Sequence, residues 1–192
     1  KRMDLIHRLD GMERLGIVVL SKKDIAKLFP DENEKALEKS LQRMAKDGLL
    51  VKAARGIYVN AAAASRAPGR ILEEIAKALR PGKLCYVSLE SMLSEYGVIS
   101  QIPVSHLTVM TTGASGMHDT PYGVIEFTHT KRSRPDVLNR SVFVKERPLR
   151  IAKKYAAVQD LLRIGRNTDM IDPGELDEDE RDEGHRHRLL ER

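Results

Sequence analysis

The N-terminal fold is decided by residues 33–59, which read NEKALEKSLQRMAKDGLLVKAARGIYV. In the first half, apolar residues recur at the spacing of one face of an α-helix, and these are Leu37, Leu41 and Met44. Gly48 then offers a C-terminal stop. In the second half, two short apolar runs flank residues 53–55, a pattern typical of a hairpin with Arg55 near its tip. The stretch therefore predicts a helix followed directly by a β-hairpin.

Two further helices are predicted upstream of this stretch. Apolar residues at helical spacing predict the first helix, and they are Leu5, Leu9, Met12 and Leu15, with a stop at Gly16. Ser21 and Asp24 resemble a capping box, which predicts a short helix over 21–28. Asp31 or Asn33 can cap the third helix, which should end near Asp47. Three helices and a hairpin are the order of a winged helix-turn-helix, whose third helix enters the major groove of DNA while the wing reaches a neighbouring phosphate or the minor groove.

The third helix is predicted to carry a DNA-contacting face. On a wheel at about 100° per residue, with Leu37 at zero, its basic and amide side chains gather between about 140° and 240°. With neighbouring positions included, the predicted DNA-binding residues are Lys22, Lys23, Asn33, Lys35, Lys39, Gln42, Arg43, Lys46, Lys52 and Arg55. The alternatives are a solvated basic face and a protein-docking surface. Position on the last helix before a basic hairpin favours DNA.

The charge of the chain is uneven. Residues 1–58 hold 13 Lys and Arg against 9 Asp and Glu, residues 59–170 hold 16 against 10, and residues 171–192 hold 4 against 9. A basic body favours a polyanionic partner through phosphate neutralisation and counterion release. Aromatic residues are 4% and Trp is absent, which disfavours a stacking platform for single strands. Duplex DNA is therefore the better candidate.

Composition also predicts the compartment. The longest apolar runs are far shorter than the roughly 18 to 20 residues that a bilayer demands. The single cysteine, Cys85, excludes an intrachain disulfide and a zinc site built from cysteines, which favours a reducing environment. We therefore expect a cytoplasmic protein without a membrane partner.

The sequence predicts two bodies and a tail. The first is a winged helix-turn-helix domain over residues 1–60, and the run AAAASRAPG over 61–69 indicates a linker or the approach to a new helix. The second, over 69–170, mixes both element types: we expect helices over 71–79, 89–96 after a Ser88 cap and 151–164, and strands over 84–87, 107–112, 123–128 and 141–145. Residues 171–192 are expected to form an acidic, flexible tail. The predicted fold class is α+β.

The search for catalytic and metal-binding patterns predicts no enzyme. A nucleophile and base could be combined from Ser88, Ser91 and Cys85 with His106, His118 and His129, but no local signature supports the pairing. Cys85 in a strand is expected to be a core residue, and residues 113–116 lack the lysine of a phosphate-binding loop, so they predict a loop between strands. His185 and His187 would need further donors, and the carboxylates of the second body show no two-metal spacing. We expect no catalysis, metal or cofactor.

Five stretches of the chain carry a resemblance to a known family. They are GLL at 48–50 leading to RGIYV at 55–59; YVSLESMLSEYG at 86–97; TVMTTG at 108–113; PYG at 121–123 leading to FTH at 127–129; and IA at 151–152 leading to DLL at 160–162. Together they resemble the AbiEi family, the antitoxins and transcriptional regulators of type IV toxin-antitoxin systems, over most of residues 1–167. The resemblance implies a winged helix that binds repeats in its own promoter. It also implies a C-terminal domain that counters a nucleotidyltransferase toxin, largely without a stable complex.

The second body adds two basic clusters. We expect a secondary contact with DNA phosphates from Lys131, Arg132 and Arg134 between two strands, and from Arg150, Lys153 and Lys154 after the last strand; a solvated loop and helix start are the alternative. Double-stranded operator DNA and a nucleotidyltransferase toxin are the expected partners of a monomer or weak dimer. Two other functions are left open. One is a stand-alone regulator whose second domain senses a ligand or dimerises, and the other is a nuclease or transferase, which would need an acidic or histidine cluster.

Overall fold

The computed structural model describes residues 2–66, 70–100, 102–103 and 105–176. The chain is a mixed α+β protein, which confirms the predicted class. It divides into two compact units, one made of Lys1–Pro81 and His118–Gly123 and the other of Gly82–Met117 and Val124–Arg192. The first unit therefore extends past the boundary predicted at residues 60–69. It includes the helix that follows residue 70, because this helix packs against strands of the first unit. Within the described ranges, no helix has the length and apolar character needed to span a bilayer.

The first unit begins with three helices and a small antiparallel sheet. Its elements are α1 (Arg2–Arg14), β1 (Val19–Ser21), α2 (Lys22–Leu28), α3 (Glu34–Lys46), β2 (Leu50–Ala54), β3 (Ile57–Asn60), α4 (Ala61–Arg66) and α5 (Ile71–Leu79). The sheet has the order β1-β3-β2, with Val59 paired to Val19 on one side and Val51 on the other. Its core is formed by Leu9, Leu20, Ile25, Leu37, Leu41, Met44, Leu50 and Tyr58. The apolar stripe of α3 therefore points into this core.

Short-range capping explains where α2 and α3 begin. The Ser21 hydroxyl accepts from the backbone N–H of Asp24 at 3.1 Å, and the Asp24 carboxylate accepts from the backbone N–H of Ser21 at 3.1 Å, so the predicted capping box is confirmed. Asn33 caps α3, because its side-chain oxygen accepts from the backbone N–H of Ala36 at 2.9 Å. Gly48 has a φ of +71° just after α3, a conformation that glycine adopts without strain.

Two parts of the first unit differ from the sequence-based expectation, which leaves residues 61–69 open between a linker and the approach to a new helix. Residues 19–21 form a strand that the sequence analysis did not predict. The segment 61–69 begins with helix α4, directly after β3, because alanine has the highest helix propensity and the Asn60 side chain accepts from the backbone N–H of Ala63 at 3.3 Å. Leu15, placed on the buried side of the first helix, lies beyond the end of α1 and is 77% exposed.

The remaining elements build a six-stranded mixed sheet with helices. They are β4 (Cys85–Val87), α6 (Leu89–Glu95), β5 (His106–Thr111), β6 (Gly116–Thr120), β7 (Gly123–His129), α7 (Arg134–Arg140), β8 (Ser141–Val142), β9 (Arg150–Ala152) and α8 (Lys154–Ile164). The sheet order is β6-β7-β5-β4-β9-β8. Strand β4 pairs antiparallel with β5 and parallel with β9, while β5 and β7 are parallel. Helices α6 and α8 pack against each other.

Several element bounds in this part correct the sequence-based expectation. The strand predicted over 141–145 ends at Val142, and residues 151–152, expected to begin a helix, belong to β9, where Ile151 pairs with Val87. Strand β6 and helix α7 were not predicted. Residues 113–115 form a loop between β5 and β6, and Cys85 is buried, with its thiol 3.2 Å from the Thr111 hydroxyl, as predicted. Residues 177–192 of the predicted tail, with His185 and His187, lie outside the described residues.

Candidate nucleic-acid interface

Helix α3 separates an apolar side from a polar one, as the wheel predicted. All five predicted contact residues on this helix are exposed, namely Lys35, Lys39, Gln42, Arg43 and Lys46. Within the described part of the chain, none of these five side chains makes a hydrogen bond or an ion pair. Four of them are cations, and a cation without a protein counterion is the group that gains most by meeting a phosphate.

The hairpin β2–β3 adds two exposed cations. Lys52 lies on β2 opposite Tyr58, and Arg55 lies in the turn beside Gly56, which has a φ of +73°. The backbone N–H of Lys22 donates to the carbonyl oxygen of Gly56 at 2.8 Å. This bond fixes the hairpin turn next to the start of α2, so the turn that carries Arg55 has a defined position.

Lys22 is ion-paired within the protein, and its predicted role as a DNA contact stays a prediction. Its Nζ lies 3.0 Å from Oε1 of Glu38 and 3.0 Å from Oε1 of Glu34, joining the start of α2 to the first turns of α3. The hydrogen bond that Lys22 donates to Glu38, and then the one that it donates to Glu34, raise the pKa of Lys22 above its ordinary value. The sequence analysis missed both glutamates, although their place on the same helix as the basic face was the available signal.

Two other predicted residues have different outcomes. Asn33 uses its side-chain oxygen to cap α3, so its role is structural. Lys23 is exposed on α2, and no side-chain partner is found for it among the described residues.

In the second unit, Arg132 belongs to a mostly buried network of polar side chains, and its predicted contact with phosphates stays a prediction. Its guanidinium lies 3.0 Å from the Asp160 carboxylate, which also accepts from Arg140 at 3.3 Å. The Tyr86 hydroxyl at 3.0 Å and the Ser88 hydroxyl at 2.9 Å donate to the other oxygen of Asp160. Ser88 was expected to cap α6 with this hydroxyl, and makes no such bond. The Asp160 side chain is fully buried, so this cluster holds β4, α7 and α8 together.

Two more cations of the predicted secondary contact are also occupied. Arg150 donates from Nε to the Ser141 hydroxyl at 2.8 Å and from a terminal nitrogen to the Ser141 carbonyl at 2.7 Å. Lys154 donates to the backbone carbonyl of Glu175. Both side chains are therefore bonded within the protein, and their predicted contact with phosphates stays a prediction. The other three members are exposed, without a side-chain partner in the described ranges, and they are Lys131, Arg134 and Lys153.

A second polar network joins α6, β7 and the end of α8. Arg166 pairs with Glu90 at 3.0 Å and also with Glu126, while Asn167 donates to Glu90 at 2.9 Å. Burial acts to raise the pKa of Glu90, but the hydrogen bonds from Arg166 and Asn167 outweigh it and hold that pKa below its ordinary value. His106 lies 3.5 Å from Glu126. Among the described residues, no group of three or more His, Cys, Asp and Glu is arranged to hold a metal ion.

Seven of the predicted DNA-contacting residues are exposed cations with no side-chain partner among the described residues. We call them the basic face; they are Lys23, Lys35, Lys39, Arg43, Lys46, Lys52 and Arg55. From Lys35 to Lys46 the α3 axis covers about 16 Å, long enough to follow a major groove about 12 Å wide. Gln42 adds an amide that can bond to a base edge. No model of a protein family, no curated protein and no solved structure matches the chain.

Proposed function

We propose that the chain is the antitoxin of a type IV toxin-antitoxin system, in which a winged helix-turn-helix binds promoter DNA and represses its own operon. The remaining α+β part counteracts a nucleotidyltransferase toxin in the cytoplasm and performs no catalysis of its own. The observation that carries the DNA-binding part is the exposed side of α3, where four cations have no partner among the described residues.

The arrangement of the first unit supports the winged-helix assignment. Helices α1, α2 and α3 precede a hairpin, and β1 adds a third strand beside β3. The apolar side of α3 packs in the core through Leu37, Leu41 and Met44, so its opposite side must face solvent or a ligand. A helix held in this way can enter a major groove, while the Arg55 turn reaches the adjacent backbone.

The charge of the basic face sets the expected strength of its salt dependence. Each phosphate neutralised on duplex DNA contributes a slope of about −0.9 to the plot of log K against log salt. If all seven cations contacted phosphates, the slope would be about −6. A shallower slope would mean that some of them bind bases or stay in solvent.

The antitoxin part of the proposal is supported by where the family-like stretches fall. The segments at 86–97, 108–113, 127–129 and 151–152 lie on β4 with α6, β5, β7 and β9. These four strands are adjacent in the sheet order. Stretches that were separate in the sequence thus belong to one layer, as expected if they describe one domain. We propose functional antagonism of the toxin, without a stable complex as a requirement.

The DNA-binding part is tested by fluorescence anisotropy. Wild type is titrated against a duplex from its own upstream region and a scrambled duplex, at two salt concentrations. The double variant Lys39→Ala with Arg43→Ala should lose on the order of 1 to 3 kcal/mol for each base contact and less for each phosphate contact. Its salt slope should become shallower by up to about 2. The matched control is Lys83→Ala with Arg163→Ala, two exposed cations outside the first unit.

The outcomes separate clearly. Specific binding by the wild type, weakened in the double variant and kept in the control, supports the DNA-binding part. Equal binding to both duplexes, or an unaffected double variant, contradicts it.

The antitoxin part is tested by growth rescue. Cells expressing a toxin encoded next to the chain should grow again when the full chain is expressed. The Lys39→Ala with Arg43→Ala variant should still rescue, because the altered face belongs to the DNA-binding unit. Absence of rescue by the wild type would contradict the antitoxin role while leaving the DNA-binding result intact.

A further inference from the structure

Glu38 is an exposed acidic residue on α3, beside the cations of the basic face. With Leu37 at zero on the wheel, Glu38 lies at about 100° and Gln42 at about 140°, so the two side chains are neighbours one turn apart. The Glu38 side chain is 60% exposed. It lies in the N-terminal half of α3, and this is the half of a recognition helix that contacts base edges.

A carboxylate is an unfavourable group beside the DNA backbone. The exposed arc of α3 beyond Glu38 consists of Gln42 and four cations, all able to donate to phosphates. A glutamate can only accept hydrogen bonds when ionised, and phosphate oxygens also only accept. Its favourable partner in a major groove is an amino group on a base, and the N4 amino group of cytosine is the donor that glutamate and aspartate accept from.

Lys22 holds Glu38 in a form suited to this contact. Lys22 Nζ binds Oε1 of Glu38, and Oε2 makes no hydrogen bond within the described residues. The side chain is therefore oriented by one oxygen while the other stays available. The ammonium of Lys22 also offsets the repulsion between the carboxylate and nearby phosphates.

We propose that Glu38 is a specificity-determining residue that selects a cytosine, and so a G·C pair, in the operator, with Lys22 as its positioning residue. This inference rests on the proposed DNA-binding function. Glu34, which shares Lys22, is 81% exposed, but it lies at about 60° on the wheel, farther than Glu38 from Gln42 and the cations of the basic face. It supplies a matched carboxylate that is not expected to reach a base.

The test is selection of duplexes from a randomised library by the full chain, followed by affinity measurements on the selected motif. The wild type should prefer G·C over the other pairs at one position by about fivefold or more, the lower end of what one base contact contributes. Glu38→Ala should lose that preference, and Glu38→Gln should move it toward A·T, since glutamine pairs with adenine. Glu34→Gln should keep the wild-type motif. Lys22→Ala should weaken the preference without changing the preferred pair.

Each outcome has one meaning. The inference is supported if Glu38→Ala loses the preference for G·C at that position and Glu38→Gln prefers A·T there instead. A wild-type motif that both Glu38 variants select unchanged overturns it, even if affinity falls equally for every sequence, because Glu38 would then only brace α2 against α3. A wild type that selects no motif overturns the proposed DNA-binding function itself. Thermal unfolding of each variant checks folding, and each variant should unfold close to the temperature of the wild type, because an exposed ion pair adds little stability.

Discussion

Replacing Asp160 by asparagine should destabilise the second unit more than any other single carboxamide substitution that we propose. The carboxylate accepts four hydrogen bonds, from Tyr86, Ser88, Arg132 and Arg140, over distances of 2.9 to 3.3 Å. Asparagine keeps the shape but removes the charge, and its amide N–H groups would face hydroxyl and guanidinium donors. Two arginines would then lie in the interior without their shared counterion.

The magnitude follows from burial. Removing one partner of a buried ion pair costs about 3 to 5 kcal/mol. The Asp160 side chain is fully buried, while those of Arg132 and Arg140 are 21% and 13% exposed. Because partial exposure lets water compensate some of the lost charge, we expect a loss near the lower end, about 3 kcal/mol. With a urea dependence of about 2 kcal/mol per molar, this lowers the unfolding midpoint by about 1.5 M.

The assay is urea unfolding followed by far-UV circular dichroism. Asp169→Asn is the matched control, because Asp169 is exposed and makes no side-chain contact within the described residues, and an exposed substitution of this kind should change stability by less than about 0.5 kcal/mol. Equal midpoints for Asp160→Asn and Asp169→Asn would refute the assignment of Asp160 as the counterion that holds the second unit together.

Three further predictions concern other parts of the chain. Ser21→Ala removes the capping box with Asp24 and should lower the free energy of unfolding by about 1 kcal/mol, measured by thermal unfolding. An unchanged free energy of unfolding would contradict the capping role of Ser21. Arg166 holds the pKa of Glu90 in the folded state below its value in the unfolded chain. Ionised Glu90 therefore contributes to the free energy of unfolding above the unfolded pKa, and this contribution is lost as pH falls through the lower folded pKa. The difference in unfolding free energy between wild type and Glu90→Gln should therefore shrink on acidification below about pH 4. A difference that stays constant with pH would argue against the stabilising pairing of ionised Glu90 with Arg166. Lys153→Glu should make the salt slope of operator binding shallower if the secondary contact exists, whereas an unchanged slope would remove Lys153 from the interface.

Local signals were sufficient for much of the first unit. The capping box at Ser21, the periodicity of α3 and the stop at Gly48 are each encoded within a few residues, and the structure confirms them. Strand β1 could not be found in this way, since its three residues become a strand only by pairing with β3. Helix α7 did carry a local signal that was missed, with Ser133 as its cap and proline in its first turn.

The candidate interface was harder to predict in its details. The exposed face of α3 follows from helical geometry alone, so its five residues were identified correctly as exposed. Which cations are occupied is decided by partners distant in the sequence. Arg132 meets Asp160 across 28 residues, and Lys22 meets Glu38 across 16. A count of charges along the chain therefore overstates the surface available to DNA.

The Asp160 network also constrains the order in which the chain can fold during synthesis. Its four partners lie between 20 and 74 residues earlier in the chain, so the network cannot close until residue 160 has left the ribosome. The core of the first unit uses residues from Leu9 to Tyr58 and is complete much sooner. Domains generally fold as units during translation, N-terminal first. We expect a nascent chain in which the first unit is already folded while the sheet of the second unit stays open, the stage at which chaperones and proteases have access to it.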